Sequence, residues 1–321
     1  MSKTIGVVTS GGDAPGMNAA IRAIVRLAYS RNFQVIGFLR GWEGLITNTS
    51  QCLTPRSVGG ILQLGGTILR TSRCPSFRER KEIEKASEIL ESESIYGLLV
   101  IGGDGSFRGA LELSERTDTL ILGIPATIDN DVFGTDETIG FDTAVDTAVL
   151  EIDKIRDTAI SHERIFIIEV MGRKRGFLAS TIGLTVGAEI ILVPEVKCEE
   201  ETIFNVIKTN AAKGKRSGII VAAEGIGDTR RLAEVIEENT GAEVRLSVLG
   251  YAQRGGSPTA RSRLLANLFA DKAIDLLCKG EGNMMVGWQE GKVASMDLES
   301  ACKGKKPLDL DLLSLARTLA S

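Results

Sequence analysis

Histidine is nearly absent from this chain, which has one such residue, His162, among 321. A single histidine excludes a multi-histidine metal site and a histidine-based proton relay, although it leaves a Ser-His-Asp triad possible. If the reaction needs a general base, this scarcity favours a carboxylate.

Other features that the sequence lacks exclude further classes of protein. The net charge is −4, so no basic excess is present to attract nucleic acid or an anionic membrane. The five cysteines lack CxxC or metal-ligand spacing, which is typical of reduced thiols in a cytoplasm. No signal peptide opens the sequence, and no uncharged apolar stretch approaches the roughly 18–20 residues that span a bilayer. We therefore expect a soluble cytoplasmic protein that binds neither nucleic acid nor membrane.

What the chain does contain is glycine, with 36 residues, against 5% aromatics, a balance that favours an α/β protein with tight loops. Short, almost wholly apolar runs alternate with helical patterns, as expected for strands covered by helices on both sheet faces. The pattern predicts two doubly wound α/β domains with mainly parallel sheets. The predicted strands are 5–8, 34–38, 97–101, 120–124, 165–168, 190–193 and 218–221, and the predicted helices are 17–29, 79–91, 106–113 and a long one over 139–155.

Three loops follow predicted strands at their carboxyl ends, where open parallel sheets bind ligands. Loops 9–16 and 102–106 are rich in glycine and open helices, which lets a phosphate meet free backbone N–H groups at a helix start. One such loop could be a plain tight turn, but two on neighbouring strands predict a phosphate site. Neither matches GxGxxG or the Walker A ending, which disfavours a nicotinamide dinucleotide.

Carboxylates in the second and third of these loops are candidates for chemistry. Asp104 lies between glycines, and because an acid repels phosphate unless a cation intervenes, we interpret it as a Mg²⁺ contact, with a helix cap as the alternative. The third loop, 125–131, places Asp129 and Asp131 near the Thr127 hydroxyl. These residues suit a base for an attacking hydroxyl in phosphoryl transfer, although Asp clusters in loops also form turns.

Arginines could neutralise the phosphates, because the guanidinium group binds them with two parallel hydrogen bonds. Arg173 and Arg254 have glycine neighbours, which favours a ligand role over simple solvation. The remaining candidates are Arg70, Arg73, Arg78, Arg164, Arg175 and Arg245.

Together these segments resemble the bacterial-type 6-phosphofructokinase family, in its ATP-dependent branch. TIDND at 127–131 with MGR at 171–173 is highly specific, whereas GGDGS also occurs in NAD kinases and lipid kinases. The other matching segments are TSGGDAPGMNAAIR at 9–22, GGTILRTSRCP at 65–75, IGGDGS at 101–106, GTDETIGFDTA at 134–144, SHERIFIIEVMGR at 161–173, AEG at 223–225 and QRGGSP at 253–258.

The resemblance implies transfer of the γ-phosphoryl group of ATP to the 1-hydroxyl of fructose 6-phosphate in glycolysis, with Mg²⁺ as cofactor. It implies a nucleotide-binding domain of residues 1–138 and 252–305, and a sugar-phosphate-binding domain of residues 139–251 and 306–321. The active site is expected in the cleft between them.

The resemblance also assigns roles to single residues. Asp129 is the base, with Thr127 and Arg73 as the other catalytic residues, and Asp104 serves the metal. ATP is assigned to Gly12, Arg73, Cys74, Gly103, Asp104, Gly105 and Ser106. Fructose 6-phosphate is assigned to Thr127, Ile128, Asp129, Arg164, Met171, Gly172, Arg173, Glu224, Arg245, Tyr251 and Arg254, where Tyr251 replaces the usual His.

Arg164 and Arg245 resemble arginines that reach the sugar phosphate from a neighbouring subunit, which implies a homotetramer. Arg22 and Arg26 lie four apart on the first predicted helix, where like charges are unfavourable unless an anion binds between them or the face is simply solvated. By resemblance they belong to an effector site for ADP or phosphoenolpyruvate, completed by Arg156, Glu189, Lys213 and Lys215.

Two alternative functions remain, one with a different phosphoryl donor and one that is not an enzyme. The pyrophosphate-dependent branch carries Asp at the position of Gly105 and Lys at that of Ala126, so the residues present favour ATP. A nucleotide-sensing regulator without activity is disfavoured by an intact set of candidate catalytic and binding residues, which is Asp129, Thr127, Arg73 and Arg173.

Overall fold

The computed structural model describes residues 3–320, whose strands form two separate sheets. The strands are β1 (Thr4–Thr9), β2 (Gln34–Phe38), β3 (Ser50–Leu53), β4 (Ile95–Gly102), β5 (Leu120–Pro125), β6 (Ile165–Val170), β7 (Ile190–Leu192), β8 (Gly218–Ala223), β9 (Val244–Val248), β10 (Met284–Gln289) and β11 (Lys292–Asp297). The helices are α1 (Met17–Ser30), α2 (Trp42–Ile46), α3 (Arg80–Ser92), α4 (Asp104–Ser114), α5 (Phe141–Ser161), α6 (Phe177–Thr185), α7 (Glu200–Ala212), α8 (Thr229–Thr240), α9 (Ala260–Lys279), α10 (Leu298–Lys303) and α11 (Leu310–Leu319).

Residue contacts divide the chain into two compact units. Unit 1 comprises Met1–Thr143 and Arg254–Lys306, and unit 2 comprises Ala144–Gln253 and Pro307–Ser321. The boundaries predicted from the sequence fall after residues 138, 251 and 305, and the ligand assigned to each domain stays a prediction.

The sheet of unit 1 has the strand order β11-β10-β5-β4-β1-β2-β3. Its five central strands are parallel, and β3 and β11 pair antiparallel at the two edges. In β4, Leu98 and Val100 pack into one core with α2, α3, α4 and α10, while Leu99 and Ile101 are also fully buried. Because successive side chains of a strand point to opposite faces, both faces of this sheet are covered.

The sheet of unit 2 has the order β7-β8-β6-β9 and is parallel throughout. Ile167 of β6 and Ile220 of β8 share a core with Phe204 of α7 and Ile236 of α8. Helices α6 and α11 pack against each other and against β7. The prediction of mainly parallel, doubly wound α/β structure is thereby confirmed.

The start of the long helix was predicted wrongly. Ile139 lies before α5 and forms a parallel bridge with Ala126, donating its backbone N–H to the Pro125 carbonyl at 3.0 Å. Gly140 explains the difference, because it has φ +101°, outside the helical region, and its Cβ position lies 2.8 Å from the Ala14 Cβ. Within residues 3–320, no helix has the length and apolar character needed to cross a membrane.

Candidate active site

Three loops of unit 1 meet at one edge of the sheet, because β5, β4 and β1 are parallel neighbours. The Ser10 N–H donates to the Ile101 carbonyl at 3.0 Å, and the Ala126 N–H donates to the Gly102 carbonyl at 2.8 Å. The Ser106 hydroxyl donates to the Ser10 carbonyl at 2.9 Å. The structure thus brings together the two glycine-rich loops and the loop with Asp129, as the sequence predicts.

This meeting of loops depends on glycine at one position above all. A Cβ on Gly102 would lie 2.5 Å from Ser106 Oγ and 2.7 Å from the Ser10 carbonyl oxygen. Gly105, by contrast, has no atom within 4 Å of its Cβ position. The space beside Gly105 is therefore open, as a bound nucleotide would require.

Arg254 lies against the first of these loops. Its Nη2 is 3.1 Å from Asp13 Oδ1, and a Cβ on Gly12 would lie 2.1 Å from the same nitrogen. Gly12 must therefore lack a side chain for the guanidinium to occupy this place. The structure brings Arg254, assigned to the sugar phosphate, next to Gly12, assigned to ATP.

The segment with Arg73 and Cys74 is tied to the same loop. The Thr9 hydroxyl donates to the Arg70 carbonyl at 2.8 Å, and the Thr71 hydroxyl donates to the Gly11 carbonyl at 3.0 Å. Arg70 has a left-handed backbone with φ 58°, held by that contact. Arg73 is exposed at the end of this tied segment, available to a phosphate.

Asn18 is a further tie that the sequence analysis missed. Its buried amide donates to the Gly65 carbonyl at 3.0 Å and accepts from the Ile68 N–H at 2.7 Å. An asparagine in the first turn of a helix is the only local signal, because polar residues there usually act as caps or turns.

Asp129 and its neighbours form a buried, strained turn. Asp129 is 6% exposed and its N–H donates to the Thr127 hydroxyl at 3.2 Å. Asn130 is left-handed with φ 51°, a conformation that asparagine tolerates better than most residues. Ile128 has a buried side chain, which leaves only its backbone for the predicted substrate contact.

Asp104 is the first residue of α4, and Gly103 is the N-cap. The carboxylate lies 3.1 Å from Arg108 Nε and is 40% exposed. No group of three His, Cys, Asp or Glu residues that could hold a metal occurs in the described part of the chain. A single accessible carboxylate fits Mg²⁺, which is commonly held by one or two carboxylates together with substrate phosphates and water.

In unit 2, the segments after β6, β8 and β9 gather at the carboxyl ends of these neighbouring strands. The Arg173 N–H donates to Glu224 Oε1 at 2.6 Å. A Cβ on Gly225 would lie 2.2 Å from the Arg173 carbonyl oxygen, so this turn packs on a glycine. Met171, Arg173 and Glu224 therefore belong to one connected structure, as expected.

Gln253 completes this structure and was missed from the sequence. It is fully buried, and its Oε1 accepts the Met171 N–H at 2.9 Å. That bond fixes the orientation of the amide, whose Nε2 has no hydrogen-bond partner in the described residues. Tyr251, two residues earlier, is 77% exposed.

The structure does not bring Arg164 and Arg245 to this end of the sheet. Arg164 precedes β6 and Arg245 is the second residue of β9, so both lie near the amino ends of their strands. Arg164 Nε is 2.9 Å from Glu243 Oε1, and Arg245 Nη2 also contacts that carboxylate. The Arg164 contact holds the pKa of Glu243 below its usual range, and the charge of Arg245 lowers it further.

The effector candidates occur in both units. Arg22 and Arg26 lie on α1 in unit 1, half-buried and exposed respectively. In unit 2, Glu189 Oε1 is 2.6 Å from Lys215 Nζ, and both line a cavity of about 430 Å³. Arg156 donates to the Val186 carbonyl, and Lys213 is the C-cap residue of α7 and does not line that cavity.

The chain is similar to known proteins over almost its whole length. The model of the phosphofructokinase family matches residues 4–277. ATP-dependent 6-phosphofructokinase 1 of Thermus thermophilus is 49% identical over 320 residues, which is 99% of each chain. The ATP-dependent 6-phosphofructokinase of Bacillus cytotoxicus is 47% identical over 318 residues, again 99% of each chain.

Solved structures show the same fold. Pichia pastoris phosphofructokinase in the T-state has a TM-score of 0.89 and 32% identity, and the match covers 94% of this chain but 35% of the longer yeast chain. A pyrophosphate-dependent phosphofructokinase from Marinobacter aquaeolei has a TM-score of 0.86 at 20% identity, over 99% of this chain and 92% of that one. The matches confirm the resemblance found in the motifs, and the chain belongs to the phosphofructokinase family.

Proposed function

We propose that this phosphofructokinase transfers the γ-phosphoryl group of ATP to the 1-hydroxyl of fructose 6-phosphate, giving fructose 1,6-bisphosphate and ADP in glycolysis. The observation that carries the proposal is identity of nearly half, end to end, to enzymes named ATP-dependent 6-phosphofructokinases. The joined loops of unit 1, with a carboxylate beside two phosphate-type loops, supply the chemistry such a reaction needs.

In this proposal the loops of unit 1 hold ATP. Backbone N–H groups of Gly103, Asp104 and Gly105 at the start of α4 would face the phosphates, while the Ser106 N–H donates to the Gly103 carbonyl at 2.9 Å and holds the turn. Arg73 and Cys74 border the nucleotide. Asp104 would hold Mg²⁺, which neutralises charge on the phosphates when bound. Gly12 leaves room for Arg254 beside the first loop.

Asp129 acts as the base that accepts the proton of the sugar 1-hydroxyl. Phosphoryl transfer needs mainly in-line positioning and charge stabilisation, so the base is a helper and not the main source of rate. Thr127 contacts the transferring group, while Met171, Gly172, Arg173, Glu224, Tyr251 and Arg254 bind fructose 6-phosphate.

The donor is ATP because of two positions. Gly105 leaves open space for the nucleoside, and Ala126 is buried and uncharged, so it offers nothing to a pyrophosphate. Pyrophosphate-dependent transfer is the alternative, and its solved relatives at about a fifth identity share the fold alone.

Initial rates with fructose 6-phosphate and either ATP or pyrophosphate, each with Mg²⁺ or EDTA, test this proposal. We expect turnover with ATP and Mg²⁺ and none with EDTA. Turnover with pyrophosphate and none with ATP would show that pyrophosphate is the phosphoryl donor. Inactivity with both donors, together with tight ADP binding, would favour a nucleotide-sensing regulator.

We further propose a homotetramer in which Arg164 and Arg245 of one copy complete the sugar site of a neighbouring copy. Their place near the amino ends of the strands, away from Met171 and Glu224 in the same chain, supports this. Mixing Asp129→Ser subunits with Arg245→Ala subunits after reversible dissociation provides the test. Activity regained in the hybrids is expected, and no regain would mean that Asp129 and Arg245 of a single chain serve the same site.

An effector site for ADP or phosphoenolpyruvate is proposed at Arg22, Arg26, Arg156, Glu189, Lys213 and Lys215. The cavity beside Glu189 and Lys215 supports it. The double variant Arg22→Ala, Arg26→Ala should abolish any response of the initial rate to ADP or phosphoenolpyruvate. A persisting response would show that these two residues are not part of the effector site.

We also place the enzyme in the cytoplasm, in keeping with the absence of a disulfide bond at any of the five cysteines.

A further inference from the structure

Thr138 contacts the loop of Asp129 from outside the TIDND run. Its hydroxyl donates to the Thr127 carbonyl at 2.6 Å, and its backbone N–H donates to Asn130 Oδ1 at 3.1 Å. The Asn130 amide nitrogen donates in turn to the Asp136 carbonyl at 3.1 Å. Asp129 thus lies between two residues that are each bonded to the same neighbouring segment.

That segment is itself anchored to the sheet. The Asp136 N–H donates to the Trp288 carbonyl at 2.7 Å, and the Trp288 N–H donates to the Thr135 hydroxyl at 2.9 Å. The Ile139 N–H bonds to the Pro125 carbonyl at the other end. Residues 135–139 therefore connect the catalytic loop to strands β5 and β10 and give it a fixed backing.

Burial shields the hydrogen bonds of Thr138 and Asn130 from competition by water. Thr138 is fully buried and Asn130 is 5% exposed, so water cannot easily replace either contact. The left-handed backbone of Asn130 needs such support, because a non-glycine residue keeps this conformation only where its surroundings hold it. Each bond acts on the residue directly before or after Ile128–Asp129.

We propose that Thr138 is a positioning residue for the reaction: its hydroxyl sets the orientation of the Asp129 carboxylate through the Thr127 carbonyl. The inference rests on the proposed role of Asp129 as base. A displacement of about 1 Å in a reacting group can reduce the rate roughly 100-fold, so a single buried bond that sets the loop has a measurable effect on kcat.

The test compares Thr138→Val, Thr138→Cys and Thr138→Ser with a matched control, Thr119→Val. Valine is nearly isosteric with threonine and removes only the hydroxyl, while serine keeps it and cysteine offers a weaker donor. Thr119 is 8% exposed and its hydroxyl donates to the Ile95 carbonyl at 3.0 Å, at the amino ends of the same sheet. The control therefore loses the same kind of bond far from the catalytic loop.

For Thr138→Val we expect kcat to fall about 10-fold, with KM for ATP within about twofold of wild type. The kcat values should rise in the order Val, Cys, Ser, and Thr138→Ser should restore at least half of wild-type kcat. Thr119→Val should lower the melting temperature to a similar extent but leave kcat unchanged.

Equal kcat in Thr138→Val and Thr119→Val, or failure of serine to restore kcat, would overturn the proposal. Should Thr138→Val not fold, the Cys variant is compared with the control in its place. Asp129→Ser is measured alongside, because the inference about Thr138 rests on Asp129 being the base. An unchanged kcat in Asp129→Ser would refute that role of Asp129, and not only the positioning role of Thr138.

Discussion

Replacing Gly105 by Asp should weaken the binding of the phosphoryl donor without lowering the free energy of unfolding. Gly105 is the second residue of α4 and exposed, and no atom lies within 4 Å of its Cβ position. Asp is a better helix former than Gly by a few tenths of a kcal/mol, and a negative charge in the first turn adds about 0.3–1 kcal/mol. We therefore expect the free energy of unfolding of Gly105→Asp to stay the same or rise slightly.

The donor, by contrast, would meet a new carboxylate. At about 6 Å and an effective dielectric of roughly 20–80, repulsion between two unit charges is about 0.7–2.8 kcal/mol. That corresponds to an increase of about 3- to 100-fold in KM for ATP, before any steric conflict with the nucleoside is counted.

Steady-state kinetics with ATP and with fructose 6-phosphate, together with thermal unfolding, measure these effects. Gly105→Ala is the control that adds a Cβ without charge, and it should raise KM for ATP less than Gly105→Asp does. If Gly105→Asp folds normally and keeps KM for ATP within about twofold of wild type, the placement of the donor beside Gly105 is wrong.

Two further predictions concern other parts of the chain. Gly225→Ala should raise KM for fructose 6-phosphate by about 10-fold or more and leave KM for ATP unchanged. The reason is that the added Cβ would lie 2.2 Å from the Arg173 carbonyl oxygen and displace that turn. Equal changes in both KM values would argue against a local effect. Burial raises the pKa of the Cys302 thiol from 9.0 to about 11, so the unfolded thiol ionises before the folded one and stability should fall as pH rises between these values. Urea unfolding of wild type and Cys302→Ala at pH of about 8 and about 10.5 checks this, since the variant should lose less stability; identical losses would contradict it.

The strands β1, β2, β4 and β5 and the three ligand loops of unit 1 could be predicted from the sequence because their signals are local, whereas β3, β10 and β11 were missed. Strands such as Leu120–Pro125 are buried on both faces and therefore read as continuous apolar runs. Once β1, β4 and β5 are parallel, the loops after them must share one edge.

Contacts between distant segments could not be predicted in the same way. Asn18 bonds to residues 65 and 68, and Thr138 bonds to Thr127, yet nothing adjacent in sequence indicates either partner. Ile139 fits helical spacing, but the left-handed Gly140 and the bridge to Ala126 keep it out of α5. Gln253 is polar by sequence and fully buried in the structure, because its partner is the Met171 N–H.

The central claim is that Asp129 removes a proton from the sugar hydroxyl during transfer from ATP. The most direct test is kcat of Asp129→Ser with saturating ATP, Mg²⁺ and fructose 6-phosphate, with ADP affinity measured by calorimetry on the same protein. We expect kcat to fall at least about 100-fold, with ADP affinity largely unchanged. A kcat near that of the wild type would contradict it.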